Sequence, residues 1–284
     1  MKILVLGHKG MLGRDLMARL ALGHSVEGRD RDEFDITSAE ECRRIIDETV
    51  PDAVINAAAY TEVDGAETNR DLCYAVNADG VGHLVAACAG KHIKLVHIST
   101  DYVFDGTGKK PYTEEDPPQP QNVYGRSKAA GEQAILNGGA PFLLIRTAWL
   151  YGRHGKNFVT TILQKAKTTG ALSVVDDQFG SPTFTWDLSG AIEVLLSMNA
   201  QGIFHVTNRG ICTWHAFASK ILQYAGLSHV SLTPISSDTL DRPARRPAYS
   251  GLSNGKFQET TGKAMRVWQV ALCDFIGHLG PDYR

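Results

Sequence analysis

A chain of 284 residues can bury one large core, with or without a smaller satellite, and needs no metal or disulfide staple to fold. Its 43% hydrophobic and 21% charged residues exclude disorder and fibrous repeats, and a formal net charge of -2 leaves no basic excess for a nucleic-acid backbone. Five scattered cysteines with no Cys-x-x-Cys pair read as reduced core thiols, and no apolar run nears the roughly 18 residues of a membrane span. The first apolar run is also too short for a signal-peptide core, so a cytoplasmic protein without membrane or nucleic-acid partners is expected.

The first predicted element is a buried strand, Ile3 to Leu6. It runs directly into Gly7-His8-Lys9-Gly10-Met11-Leu12-Gly13 and then into helical spacing from Leu12 to Leu22. A Gly-x-x-Gly-x-x-Gly run is weak evidence by itself. Between a strand and a helix it aims backbone N–H groups and the positive helix end at a pyrophosphate, and the missing side chains let the phosphates approach. A second strand ends near Val26-Glu27-Gly28-Arg29-Asp30, where an adenosine ribose would be read. Arg29 suits a 2′-phosphate and hence NADPH, whereas Glu27 or Asp30 suits a free 2′-hydroxyl and hence NADH. NADPH is the expected cofactor and NADH the alternative.

A helix follows from Ala39 to Thr49, stopped by Pro51, then a strand from Ala53 to Asn56, a helix from Leu72 to Gly90 and a strand from Leu95 to Ile98. The Pro-, Gly- and acid-rich stretch from Asp105 to Gln121 cannot hold a ladder or a helix and is a surface loop. A helix from Val123 to Leu136 and a strand from Phe142 to Arg146 close the pattern. Strands alternating with helices predict an α/β fold, a Rossmann-type doubly wound parallel sheet over residues 1–150. Residues 151–284, with polar turns at Asp176 to Pro182 and Arg242 to Pro247, should form mainly a smaller substrate-binding lobe, with later segments free to return to the sheet.

Strand Leu95 to Ile98 leads into Ser99-Thr100-Asp101-Tyr102, at the end of a parallel strand where such sheets bind ligands. Downstream, Tyr124-Gly125-Arg126-Ser127-Lys128 sets a phenol and an ammonium on one helix face, in the chain's single Tyr-x-x-x-Lys. A carbonyl receiving hydride needs a proton, and a free phenol with a pKa near 10 gives one up reluctantly. Lys128 is expected to lower that value and to hold the nicotinamide ribose, while Thr100 hydrogen-bonds the carbonyl beside Tyr124.

The glycine loop, strand-end threonine and Tyr-x-x-x-Lys resemble the extended short-chain dehydrogenase/reductase superfamily. A narrower match lies in Asn56 to Asp64, Ser99 to Gly106, Arg146 to Gly152, Asp177 to Thr183 and Ala244 to Pro247, which resemble the dTDP-4-dehydrorhamnose reductase family over nearly the whole chain. The resemblance implies reduction of the C4 carbonyl of a dTDP-linked 4-keto sugar to dTDP-L-rhamnose, with Tyr124, Lys128 and Thr100 catalytic. It implies a cofactor site of Gly7, Gly10, Met11, Leu12, Gly13, Arg29, Asp35, Ile36, Ala57, Ala58, Ala59 and Asn77, shared with Tyr124 and Lys128. Thr61, Val63, Thr100, Asp101, Tyr102 and Trp149 are implied as the sugar pocket. Arg245 and Arg246 are either its diphosphate clamp or solvated cations.

A monomer or a homodimer both fit the resemblance. Some relatives dimerise through a metal held by acidic side chains; here Asp15 keeps one acid, but Trp186 replaces another, and no metal is expected. An epimerase or dehydratase on the same scaffold is the rival enzyme, although Asp101-Tyr102 replaces the Asp-Glu pair that dehydration uses. The regulatory subunit of methionine adenosyltransferase also resembles this family; Trp149 and the Asp177 to Thr183 block favour the reductase.

Overall fold

The computed structural model describes residues 1–280, so residues 281–284 of the expected second segment lie outside the described residues. Strand β1 (Lys2–Leu6) buries Ile3 to Leu6 completely on both faces, as a central parallel strand must. Helix α1 (Met11–Leu20) lays Leu12, Leu16 and Leu20, spaced four apart, along one buried face. β2 (Ser25–Arg29), α2 (Ala39–Thr49) and β3 (Ala53–Asn56) follow. The Ser38 hydroxyl caps α2 by accepting from the Glu41 N–H, and Val50, in the left-handed conformation, ends the helix before Pro51.

The stretch expected as one helix from Leu72 to Gly90 is three pieces, preceded by α3 (Val63–Thr68). α4 (Arg70–Tyr74) passes into a π-helical turn at Ala75–Asp79 and then into α5 (Gly80–Cys88). Apolar spacing hides this break because a π-turn inserts a single residue. β4 (Lys94–Thr100), α6 (Val123–Asn137) and β5 (Phe142–Thr147) complete the first half.

Next come β6 (Leu150–Tyr151), α7 (Phe158–Thr169), β7 (Ala171–Val175), β8 (Phe179–Gly180), β9 (Thr183–Phe184) and α8 (Thr185–Ser197). The described chain then forms β10 (Gly202–His205), β11 (Cys212–Thr213), α9 (Trp214–Tyr224), β12 (Ser231–Ile235), α10 (Gly255–Thr261) and α11 (Trp268–Gly277). The main sheet has the order β10-β5-β4-β3-β1-β2, and every pairing in it is parallel. Because β2 and β3 leave β1 on opposite sides, the sheet has a switch point between β1 and β3, with a crevice beyond the carboxyl ends of its strands.

Alternate residues of the strands feed two cores. One face packs Ile3, Val5, Ile55 and Val96 with α1 and α8; the other packs Leu4, Leu6, Val54 and Leu95 with α2 and α5. A third core joins α7, α9 and α11 around Tyr151, Phe184, Phe217 and Phe275. β10 belongs to the sheet although it follows residue 200, pairing with β5 from Gly202↔Leu143 to His205↔Arg146. Four free cysteines are buried, but Cys273 is exposed rather than a core thiol, because it lies on the outer side of α11. No helix among the described residues is long and apolar enough to cross a membrane.

Candidate active site

The glycine loop is shaped by close approach. Gly7 has φ +78°, and a Cβ there would stand 2.7 Å from the Ala58 nitrogen. A Cβ on Gly13 would stand 2.1 Å from the Gly7 carbonyl oxygen. Gly10 precedes α1 with extended backbone, donating to the Gly7 carbonyl (3.1 Å) while its own carbonyl accepts from Arg14 N–H (3.0 Å). Met11, Leu12 and Gly13 therefore open the helix with N–H groups that have no partner inside it. Ala57, Ala58 and Ala59 leave β3 alongside. This cradle fits a dinucleotide pyrophosphate. We expect Gly13→Ala to lower dinucleotide affinity at least tenfold by fluorescence titration, since the loop must open to clear a carbonyl that cannot yield; unchanged affinity would contradict the loop assignment.

At the end of β2, the Arg29 guanidinium pairs with the Glu27 carboxylate and donates to the Gly28 carbonyl (2.8 Å). The two residues with opposite implications for the cofactor thus hold each other. Ile36 is buried, whereas Asp35 is exposed and accepts from both the backbone and hydroxyl of Thr37 (2.9 and 2.8 Å). Asn77 lies in the π-turn, where its Oδ1 accepts from Tyr60 N–H (2.9 Å) and its amide group donates to the Tyr60 carbonyl and the Ser127 hydroxyl (both 3.0 Å). It pins the segment after β3 to α6.

Thr100 is the last residue of β4. Its hydroxyl donates to Asp101 Oδ1 (3.0 Å) and accepts from Tyr102 N–H (3.2 Å). Tyr124 sits in the first turn of α6, which Asn122 caps by accepting from Gly125 N–H (2.7 Å). Gly125 is required there, because a Cβ would lie 2.2 Å from the Tyr102 carbonyl oxygen. The Tyr124 ring meets Tyr102 edge-on at 5.6 Å, and the Thr100 side chain lies close enough to act on its hydroxyl.

The acidity of Tyr124 differs from the expectation. Burial pushes its pKa above the ordinary value, the neighbouring Thr100 side chain opposes this, and Asp101 and Cys73 add to it; Lys128 does not offset it. The reason is geometric, since Lys128 Nζ is turned to the Ile98 carbonyl (2.7 Å) and His97 Nε2 (3.1 Å). Burial brings Lys128 itself down to about 8, against the charges of Glu132 and Cys73.

Asp101 is buried, and burial pushes its carboxyl up to about 6 despite the nearby Ser250 hydroxyl and the hydrogen bond from Thr100. Tyr102 lines a cavity of about 620 Å³ with Lys165, Gln178, Trp214, Arg242 and Arg246. Trp149, in the left-handed conformation at φ +47°, does not line this cavity; it stacks on Trp214 at 3.4 Å. Gly180 makes room on this ring, since a Cβ would lie 2.4 Å from it. Thr61 is exposed and Val63 opens α3.

The two adjacent arginines separate. Arg246 makes a bidentate ion pair with Asp64 (2.5 and 2.6 Å), which holds that carboxyl below its usual range, whereas Arg245 is exposed beside a second hollow bordered by Asp177, Phe179 and Tyr249. Sequence reasoning missed Trp214 and Lys165, which no motif marks, and had Arg242 only as the start of a polar turn. Asp15 is buried and accepts from the Thr185 hydroxyl (2.5 Å), while Trp186 lies under the Arg19 and Arg153 guanidinium groups. Among the described residues no group of three or more His, Cys, Asp or Glu side chains is placed to hold a metal.

The chain is similar to known proteins over nearly its whole length. The chain is 39% identical to a dTDP-4-dehydrorhamnose reductase of Burkholderia thailandensis, covering 96% of this chain and 97% of that protein. It is also 39% identical to a dTDP-4-keto-6-deoxy-D-glucose reductase of Streptomyces niveus, covering 98% of each. The crystal structure of a Bacillus anthracis dTDP-4-dehydrorhamnose reductase in complex with NADP superposes with a TM-score of 0.95, at 37% identity over 98% of this chain and 99% of that one. A UDP-glucose 4-epimerase of Thermus thermophilus, 21% identical with a TM-score of 0.85 over 98% of each chain, shares the fold alone. The family model described as RmlD substrate binding domain matches residues 1–280, so a chain whose glycine loop, strand-end threonine and Tyr-x-x-x-Lys helix meet at one crevice belongs to the RmlD family.

Proposed function

We propose that this protein reduces the C4 carbonyl of dTDP-4-dehydrorhamnose to give dTDP-L-rhamnose, the last step of dTDP-rhamnose synthesis, with NADPH as the donor and NADH as the alternative. The observation that carries the reading is the juxtaposition of Tyr124, in the first turn of α6, with Thr100 at the carboxyl end of β4, close enough for the Thr100 side chain to act on the phenol. Bound nicotinamide supplies the hydride. Tyr124 supplies the proton to the carbonyl oxygen, and Thr100 holds that oxygen in line. Because burial raises the Tyr124 pKa, the phenol keeps its proton throughout the working range until the carbonyl oxygen becomes basic enough to take it.

Lys128 donates to the nicotinamide ribose. The cavity beside Tyr102 takes the nucleotide, with Trp214 as an aromatic wall and Lys165 and Arg242 meeting the diphosphate. Arg246 is already compensated by Asp64 and contributes shape more than charge. We place the protein in the cytoplasm, as a monomer or homodimer without nucleic-acid or membrane partners.

The test is an absorbance assay in which dTDP-4-dehydrorhamnose is offered with NADPH or NADH. Stoichiometric oxidation with faster turnover on NADPH is expected. Turnover of dTDP-4-keto-6-deoxy-D-glucose alone would transfer the substrate to that of the Streptomyces niveus relative. No net oxidation with any 4-keto sugar would favour an epimerase or a binding subunit.

A further inference from the structure

We propose that His97 is a positioning residue that sets the proton state of Lys128 by exchanging its own ring tautomer whenever Lys128 gains or loses a proton. The kinetic consequence rests on the reductase reading; the structural one does not.

Asn56 ends β3, and His97 faces it across the β3–β4 pairing; both are buried. The Ala58 N–H donates to Asn56 Oδ1 (3.1 Å), and an N–H can only donate, so the amide is oriented with Nδ2 toward His97 Nδ1 (3.2 Å). His97 Nδ1 therefore accepts. A neutral imidazole with an accepting Nδ1 carries its proton on Nε2, and that proton points at Lys128 Nζ, 3.1 Å away. An amine nitrogen can accept it and an ammonium cannot. Donation from Nζ to the Ile98 carbonyl (2.7 Å) is open to both forms.

The arrangement that satisfies every group is thus an amine at Lys128 with Nε2–H on His97. When Lys128 becomes an ammonium, Nε2 must accept, and the single ring proton sits on Nδ1, facing the Asn56 amide hydrogens. Net, one proton enters from solvent, Nζ ends with three, the ring stays neutral and the Asn56 hydrogen bond is lost. The ring cannot escape by ionising, because burial and the Lys128 charge hold the His97 pKa well below its usual value. The other titratable groups acting on Lys128 are Glu132, one turn along α6, and Cys73 of α4, and both favour the ammonium. Glu132 is already engaged by Arg146 and Ser99. The chain of bonds begins at Ala58, whose nitrogen lies against Gly7, so the wall of the cofactor crevice and Lys128 are hydrogen-bonded to one another.

The decisive measurement is nitrogen-15 and carbon-13 NMR of the cofactor-free protein between about pH 6 and 10. His97 should remain neutral and pass from the Nδ1–H to the Nε2–H tautomer at the pH where Lys128 titrates. One tautomer throughout, or an imidazolium, overturns the proposal. His97→Gln keeps an acceptor for the ammonium and removes the tautomer constraint. The Lys128 midpoint should rise by about one unit, and the alkaline limb of kcat should move up with it. An unmoved midpoint overturns the proposal as well. The spectra of the unsubstituted protein decide the matter even where the variant does not fold. They also need no turnover, so failure of the reductase reading registers separately, in the absorbance assay.

Discussion

Tyr124→Phe is expected to bind NADPH as tightly as the unsubstituted protein and to reduce the keto sugar at least about a hundredfold, and up to about ten-thousandfold, more slowly. The substitution removes one oxygen and leaves the ring that meets Tyr102 edge-on, so the first turn of α6 and its Asn122 cap should persist. What disappears is the phenolic hydroxyl that α6 sets beside Thr100. The loss should fall on kcat, because the proton matters only as the carbonyl oxygen gains charge. Stopped-flow measurement of NADPH oxidation, beside a fluorescence titration of the cofactor, separates the two effects. A variant that turns over within a few-fold of the parent would leave the proton to another group, and Asp101, buried with its carboxyl raised to about 6, would be the next to examine.

The second large effect is on stability. Glu132 of α6 and Arg146 of β5 form an ion pair whose side chains are each 2% exposed. Arg146 donates three times to the carboxylate, at 2.7 to 3.2 Å, and its guanidinium lies over the Phe104 ring at 5.1 Å. His205 completes the group: its Nδ1 donates to the Tyr112 carbonyl (3.0 Å), so its Nε2 faces Arg146 as an acceptor at 3.4 Å. Burial and the Arg146 charge hold His205 down to about 3, which keeps that acceptor available at all working pH values. Glu132→Ala strands a guanidinium where water cannot reach it, at a cost of about 3–5 kcal/mol.

For a chain of this size that is a fall in Tm of roughly 6–20 °C, readable by calorimetry. Replacing both partners, as in Glu132→Leu with Arg146→Met, should recover most of it, because no charge is then left unpaired. A Tm unchanged in the single variant would mean that Arg146 finds another counter-charge, with Glu114, which accepts from the His205 N–H (2.7 Å), the first to examine.

Both effects involve α6, and they show where sequence reading stops. The Tyr-x-x-x-Lys spacing placed Tyr124 and Lys128 on one face of that helix, yet the same spacing suggested that the ammonium acts on the phenol. In the structure the lysine is drawn instead to β4, to a carbonyl 30 residues away and a histidine 31 residues away in the chain. Nothing local encodes that choice. The preference arises because a buried ammonium or amine takes the nearest strong acceptor, and the acceptors are supplied by a strand that the helix meets only after the sheet has formed.

What the sequence by itself determined is what short-range physics controls. An apolar run that must be buried on both faces defined β3 and the helical spacing of apolar residues defined α2 at the residues observed, glycines marked where backbone segments approach within a side chain's width, and the order of loop, threonine and tyrosine placed all three at the same end of the sheet. Only the tertiary structure decided that β10 returns to pair with β5, that Trp149 rests on Trp214 over Gly180, and that Arg246 rather than Arg245 is locked to Asp64. Those outcomes depend on contacts between distant segments, and their energies exist only once the two partners have been brought together and cut off from water.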